Sequence, residues 1–99
     1  MAAEDAMGVN TRSQLSIASK IMQGRIQEWF MDNGVTIVDP ANTWIDARAI
    51  IGTDTVVEPF TYIHGKVSIG KNCRVGPFAH LHDEVQIGDD IKTGVFYKN

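Results

Sequence analysis

At 99 residues the chain has room for one domain at most, and a single core of that size is marginal without help, so self-association is expected. Nine Lys and Arg against twelve Asp and Glu leave a net charge of −3, which excludes the basic stripe of a nucleic-acid binder. One cysteine, Cys73, excludes an internal disulfide or a CxxC metal knuckle, and no run approaches the roughly 18 apolar residues of a membrane span, so a cytoplasmic protein with no membrane partner is expected.

Residues 1–10 are small and acidic and carry no apolar period, which predicts a loose lead-in. Thr11 with Gln14 three residues later fits a capping box. Leu15, Ala18, Met22, Ile26 and Trp29, joined by Ile17, Ile21 and Phe30, follow helical spacing and predict a helix over 11–33, ended by Asn33-Gly34. Such a helix is on the order of 30 Å long, and its apolar face is too wide to stand in water. Val35 to Val38 then reads as a short β-branched strand that Asp39-Pro40 turns.

After that turn the period becomes six. Ile45, Ile51, Val57, Ile63, Ile69, Val75, Leu81 and Ile87 stand six apart, and glycine follows four of these eight. Four residues after each comes a mostly smaller one: Ala49, Thr55, Thr61, Val67, Cys73, Ala79, Val85 and Ile91. This predicts a mainly β fold, a left-handed parallel β-helix over 35–99 in which each hexad is one flat strand and one corner and three hexads close a coil. The nine hexads from Ile45 to Lys98 make about three coils, with large aliphatics filling the prism and glycine supplying backbone angles that a Cβ opposes. The step from Val38 to Ile45 is seven residues, and Thr93 stands where an aliphatic is due, so regularity is expected to begin near Ile45 and decay after Ile91. Open strand edges at the ends would need a cover: trimer packing, the helix, or further chain.

His64 and His82 share one place in the hexad, one coil apart, with His80 nearby. One reading is a zinc site shared between subunits, as in trimeric β-helical carbonic anhydrases; the other is stacked surface or interface histidines. Cys73 falls at an inward small position and reads as core. Asp83-Glu84 and Asp89-Asp90 could pair as acid and base but read as solvated corner residues. Trp29-Phe30 and Trp44 read as filler between the helix end and the first coil rather than as a platform for a base or sugar. There is no Walker pattern and no GxGxxG.

Gly8-Val9-Asn10-Thr11-Arg12-Ser13-Gln14-Leu15, the long helix, Asn33-Gly34-Val35-Thr36-Ile37-Val38-Asp39-Pro40 and the hexads including Gly76-Pro77-Phe78-Ala79-His80-Leu81 together resemble the middle of the bacterial bifunctional GlmU family. Members join an N-acetylglucosamine-1-phosphate uridyltransferase to a glucosamine-1-phosphate N-acetyltransferase. The resemblance covers residues 8–94 and implies a fragment or short relative, a homotrimer, and a parent that makes UDP-N-acetylglucosamine for the cell envelope. It implies that Asn10 helps hold the parent's Mg²⁺, whose carboxylate partner is not in this chain. The family's nucleotide-sugar-contacting Arg falls at His82, and the following Pro-Gly is here Asp83-Glu84. No counterpart of the family's catalytic His is present, so the chain alone is expected to be inactive and to need no cofactor. The alternative is an autonomous hexapeptide-repeat enzyme, an acyltransferase or a zinc hydratase, with its site between subunits.

Overall fold

The computed structural model describes residues 11–93, so the lead-in at 1–10 and the end of the last hexad, from 94 on, lie outside the described residues. One helix, α1 (Arg12–Asp32), is followed by nine short strands. Thr11 caps α1: its hydroxyl accepts from the Gln14 amide at 3.0 Å, and the Gln14 side chain accepts from the Thr11 N–H at 3.1 Å, the reciprocal pairing expected of a capping box. At the other end the N–H of Val35 reaches back to the Phe30 carbonyl and that of Gly34 to the Met31 carbonyl. Gly34 takes the left-handed conformation (φ +90) that this stop requires, and Val35 and Phe30 are both buried beside it.

The strands are β1 (Thr36–Ile37), β2 (Thr43–Ile45), β3 (Ile50–Ile51), β4 (Val56–Val57), β5 (Thr61–Ile63), β6 (Ser68–Ile69), β7 (Arg74–Val75), β8 (His80–Leu81) and β9 (Gln86–Ile87). They form three parallel sheets, β1-β4-β7, β2-β5-β8 and β3-β6-β9, the three walls of a prism. Ile45 lies over Ile63 and Ile63 over Leu81, so one residue type repeats up each wall. The chain is therefore a parallel β-helix of three coils, mainly β, preceded by a helix. Ile45, Val57, Ile63, Val67, Val75 and Leu81 are fully buried along its axis, and each such burial stabilises the fold by about 1.5–3 kcal/mol.

The first coil begins earlier than the six-residue period indicates. Thr36–Ile37 pairs with Val56–Val57, so the strand before the turn is already a wall of the prism. The rise from Thr36 to Val56 is longer than that from Thr43 to Thr61, because a 3-10 turn at Pro40–Asn42 inserts a pair of extra positions at the corner. The repeat also does not decay at Thr93. Arg74 bridges to Lys92, and Thr93 turns inward, buried, its hydroxyl accepting from the Gly76 N–H at 3.1 Å. Ile91, due at an inward position, is instead exposed.

The glycines act differently from the expectation. Of the four that follow an aliphatic, only Gly76 has a positive φ (+89). Gly52 and Gly70 serve stacking: a Cβ on Gly52 would lie 2.7 Å from the Gly70 backbone, and one on Gly70 would lie 2.8 Å from the Asp89 nitrogen. The left-handed corner position falls instead to Asp54, Asn72 and Asp90, one per coil. Asn and Asp tolerate that conformation better than other side chains, and here the Asn72 amide donates to Asp90 at 2.8 Å.

The helix buries only part of its expected apolar face: Phe30 joins the core and Ile26 packs against it, but the rest of the contact is polar. Its buried residues are Gln23, Gln27 and Phe30, while Leu15, Ile17, Ile21, Met22 and Trp29 stay exposed. The cause is the unpaired main-chain edge of β2. Gln23 donates to the Ile45 carbonyl at 2.7 Å and accepts from the Ile45 N–H at 2.9 Å, as a neighbouring strand would. Gln27 donates to the Thr43 carbonyl at 2.7 Å and to Gln23 at 2.9 Å. An aliphatic side chain in this place would leave those peptide groups buried and unpaired. Phe30 fills the join as expected, but Trp29, at 60% exposure, does not.

Candidate functional site

The side chains that carry chemistry gather on one wall. Outward positions of β2-β5-β8 are Trp44, Tyr62 and His80, in register from coil to coil. Trp44 and Tyr62 stack with centroids 6.1 Å apart, and Tyr62 meets His80 edge-on at 4.9 Å. All three histidines of the chain lie here: His64 packs edge-on to Tyr62 at 5.6 Å and His80 to His82 at 5.3 Å. Ring contacts thus run from His64 through Tyr62 and His80 to His82, along one continuous row. Among the described residues of one chain no three His, Cys, Asp or Glu side chains are gathered to hold a metal, so the zinc reading would need ligands from neighbouring chains.

At the corner after this wall, Asp46 precedes the histidine positions in the same column. Its carboxylate pairs with Arg48 at 3.0 Å and accepts from the main-chain N–H groups of Arg48 and Gly65, each at 2.9 Å. The Arg48 guanidinium, foremost, and these amides hold the Asp46 carboxyl well below the usual carboxylate range despite its partial burial. The same contact pushes the Arg48 guanidinium up. Asp83 accepts from the Lys66 N–H and Asp89 from the Lys71 N–H, one coil apart, so these acids staple coils together at the corners. That occupation weakens the acid-base pair readings of Asp83-Glu84 and Asp89-Asp90.

The opposite corner of the wall carries Phe60 and Phe78, one coil apart, with rings parallel within 2° and centroids 5.1 Å apart. Both occupy the left-handed region, at φ 60 and φ 57, where a bulky residue costs roughly 1–2 kcal/mol. Both rings are more than half exposed, at 51% and 60%. Neither Phe60 nor Tyr62 stands out in the linear sequence; stacking the hexads in threes, so that each residue is read against the one a coil later, is what aligns them. Gln23 and Gln27 are equally hidden, since polar residues on a helix read as its solvent face.

Asn10 lies outside the described residues. Cys73 is buried, and its thiol donates to the Gly88 carbonyl at 3.0 Å, the environment of a packing residue. Trp44 borders three clefts against the helix, one of about 260 Å³ with Lys20, Gly24 and Pro40, one of about 220 Å³ with Met22, Ile26 and Ala47, and one of about 390 Å³ with Arg12, Leu15 and Ser16. No helix of the described residues is long and apolar enough to cross a membrane.

Residues 48–83 match the bacterial transferase hexapeptide family, six repeats. The chain is 57% identical over 58 residues to Bifunctional protein GlmU of Caldanaerobacter subterraneus subsp. tengcongensis, an alignment covering 59% of this chain and 13% of that protein. It is 55% identical over 56 residues to Bifunctional protein GlmU of Levilactobacillus brevis, covering 57% of this chain and 12% of that protein. With Bifunctional protein GlmU of Pediococcus pentosaceus the identity is 58% over 55 residues, covering 56% and 12%. The alignments thus span about an eighth of the length of these relatives. The chain carries a bacterial transferase hexapeptide repeat and resembles, along more than half of its own length, a segment of Bifunctional protein GlmU.

Proposed function

We propose that this chain is the linker helix and first coils of a GlmU-like sugar-1-phosphate nucleotidyltransferase, and that its own role is to assemble copies into a homotrimeric β-helical scaffold. The observation that carries this reading is the high identity to GlmU over the same stretch that folds into stacked coils. The parent would make UDP-N-acetylglucosamine in the cytoplasm, with the sugar phosphate attacking UTP in a domain other than this one. There Asn10 would help hold Mg²⁺, and the coil would wind left-handed. His82 would stand where the family contacts the nucleotide sugar. A histidine lacks the fixed fork with which Arg grips a phosphate, so weak nucleotide-sugar binding is expected at this corner.

The second reading, an autonomous acyltransferase with its site between subunits, draws on the transferase family to which residues 48–83 match. Calorimetric titration with acetyl-CoA, metal analysis and sedimentation equilibrium of the purified chain separate the two. The scaffold reading expects three times the chain mass, no acetyl-CoA heat and no stoichiometric zinc. Micromolar acetyl-CoA affinity or one zinc per chain would replace it with the autonomous enzyme, and a monomer would remove the assembly role.

A further inference from the structure

We propose that Asn33-Gly34 is a latched isoaspartate-forming site, held as an amide while α1 is docked on the prism and converted when that helix end opens, after which the join cannot reclose. The inference does not depend on the assembly reading above. Of the five asparagines only Asn33 precedes a glycine. Asn42 and Asn72 precede Thr43 and Cys73, whose side chains obstruct attack by the following nitrogen, and their own amides donate to Asp39 and Asp90, each at 2.8 Å. Gly34 offers no such obstruction, and Asn33 and Gly34 are both exposed to water. In the reaction the Gly34 nitrogen attacks the side-chain carbonyl carbon of Asn33 and closes a five-membered imide. The bond from that carbon to Nδ2 breaks, and the amide leaves as ammonia, taking the proton of the Gly34 N–H. Solvent water then opens the imide at either carbonyl, giving aspartate or, where the main-chain bond is the one broken, isoaspartate.

The folded join holds the site in its unreactive form. Asn33 has φ −104 and ψ 24, which points the Gly34 nitrogen away from the Asn33 side chain, and ring closure requires that bond to turn through most of a half circle. Three hydrogen bonds resist the turn. The Asn33 amide donates to the Trp29 carbonyl at 2.7 Å, the Gly34 N–H donates to the Met31 carbonyl at 3.2 Å, and the Gly34 carbonyl accepts from the Asp54 N–H at 2.8 Å. Gly34 also lies against Thr53, where a Cβ would come within 3.1 Å. Attack therefore needs the last turn of α1 to open, a local event that leaves the prism folded. Conversion removes what closes the join. Aspartate in place of Asn33 brings a carboxylate to the Trp29 carbonyl, at the negative end of the helix dipole. Isoaspartate adds a carbon to the main chain inside the turn that the Val35-to-Phe30 hydrogen bond spans at 3.1 Å, so α1 and β1 lose their register. The helix end then stays loose, and the Gln23 and Gln27 contacts to β2 loosen with it. The site is a one-way release of helix from prism.

The test is mass spectrometry of the full chain incubated at pH 8, in native buffer and in urea, with isoaspartate counted by enzymatic methylation of its new α-carboxyl. Conversion at Asn33 should be at least about tenfold slower in native buffer than in urea. Val35→Ala thins the buried packing beside the cap and should raise the native rate about fivefold or more, while circular dichroism shows the prism intact. The converted chains carry one more negative charge and separate by ion exchange. In them the Ile45 amide, which Gln23 holds, should exchange its hydrogen at least about tenfold faster than in the wild type, while the Tyr62 amide inside the prism keeps its protection. Equal conversion in buffer and urea, or a native rate unmoved in Val35→Ala, would overturn the latch. No conversion in urea would overturn the site itself, and converted chains with wild-type protection at Ile45 would overturn the release of the helix.

Discussion

Asp46 shows how a single corner residue ties coils together and how pH loosens that tie. Its carboxyl is held low in the folded chain by Arg48 and two main-chain N–H groups. A group whose folded pKa lies below its unfolded value contributes stability that is complete above the unfolded value, near 4, and is lost as pH falls towards the folded one. The wild-type melting temperature should therefore drop between about pH 5 and pH 2, and Asp46→Asn should flatten that fall while lowering stability at pH 7. Glycines give a second test at this scale. Gly52→Ala and Gly70→Ala should each cost about 1–3 kcal/mol in urea unfolding, because the new methyl meets backbone of the next coil, whereas Gly88→Ala, with nothing within 4 Å, should be near neutral. The position of these glycines is legible from the period of six, but the reason for them is not. A linear sequence shows what precedes and follows a residue, while the atom that forbids a side chain at Gly52 belongs to Gly70, one coil on. Cys73, by contrast, is readable as core because its inward place is set by the hexad alone.

At the scale of the element, both ends of α1 are written locally and can be read: Thr11 with Gln14, and Gly34 after Asn33. The face it buries cannot. Apolar spacing points to Leu15, Met22 and Trp29, yet the partner surface is a strand edge that wants amides, and Gln23 and Gln27 meet it. Helix amphipathicity predicts burial against side chains, not against main chain. Gln23→Leu should cost about 1–3 kcal/mol for each Ile45 peptide group left unpaired, and should speed hydrogen exchange of the Ile45 amide. Met22→Gln, at an exposed position, should leave the unfolding free energy measured in urea at low protein concentration within about 0.5 kcal/mol of wild type. Equal effects of the two substitutions would mean that the glutamine pairing contributes little to docking.

Across the whole molecule, the prism is legible from its period, whereas its first coil is masked by the extra positions at the Pro40–Asn42 turn. The histidine group is half legible: its column is visible from spacing, but its contacts run through Tyr62, which spacing does not single out. The glutamine pairing on β2 has a consequence for polymerisation. A stack of parallel coils ends in two ladders of main-chain donors and acceptors, and a copy with both ladders open could add to another end to end without limit, as fibrils grow. On the β2 wall of this chain the helix lies where an incoming coil would have to bond, so growth from that end is blocked by the molecule's own side chains. On this wall a further rung can be added only beyond β8, so the β2-β5-β8 sheet is one that lengthens in one direction only.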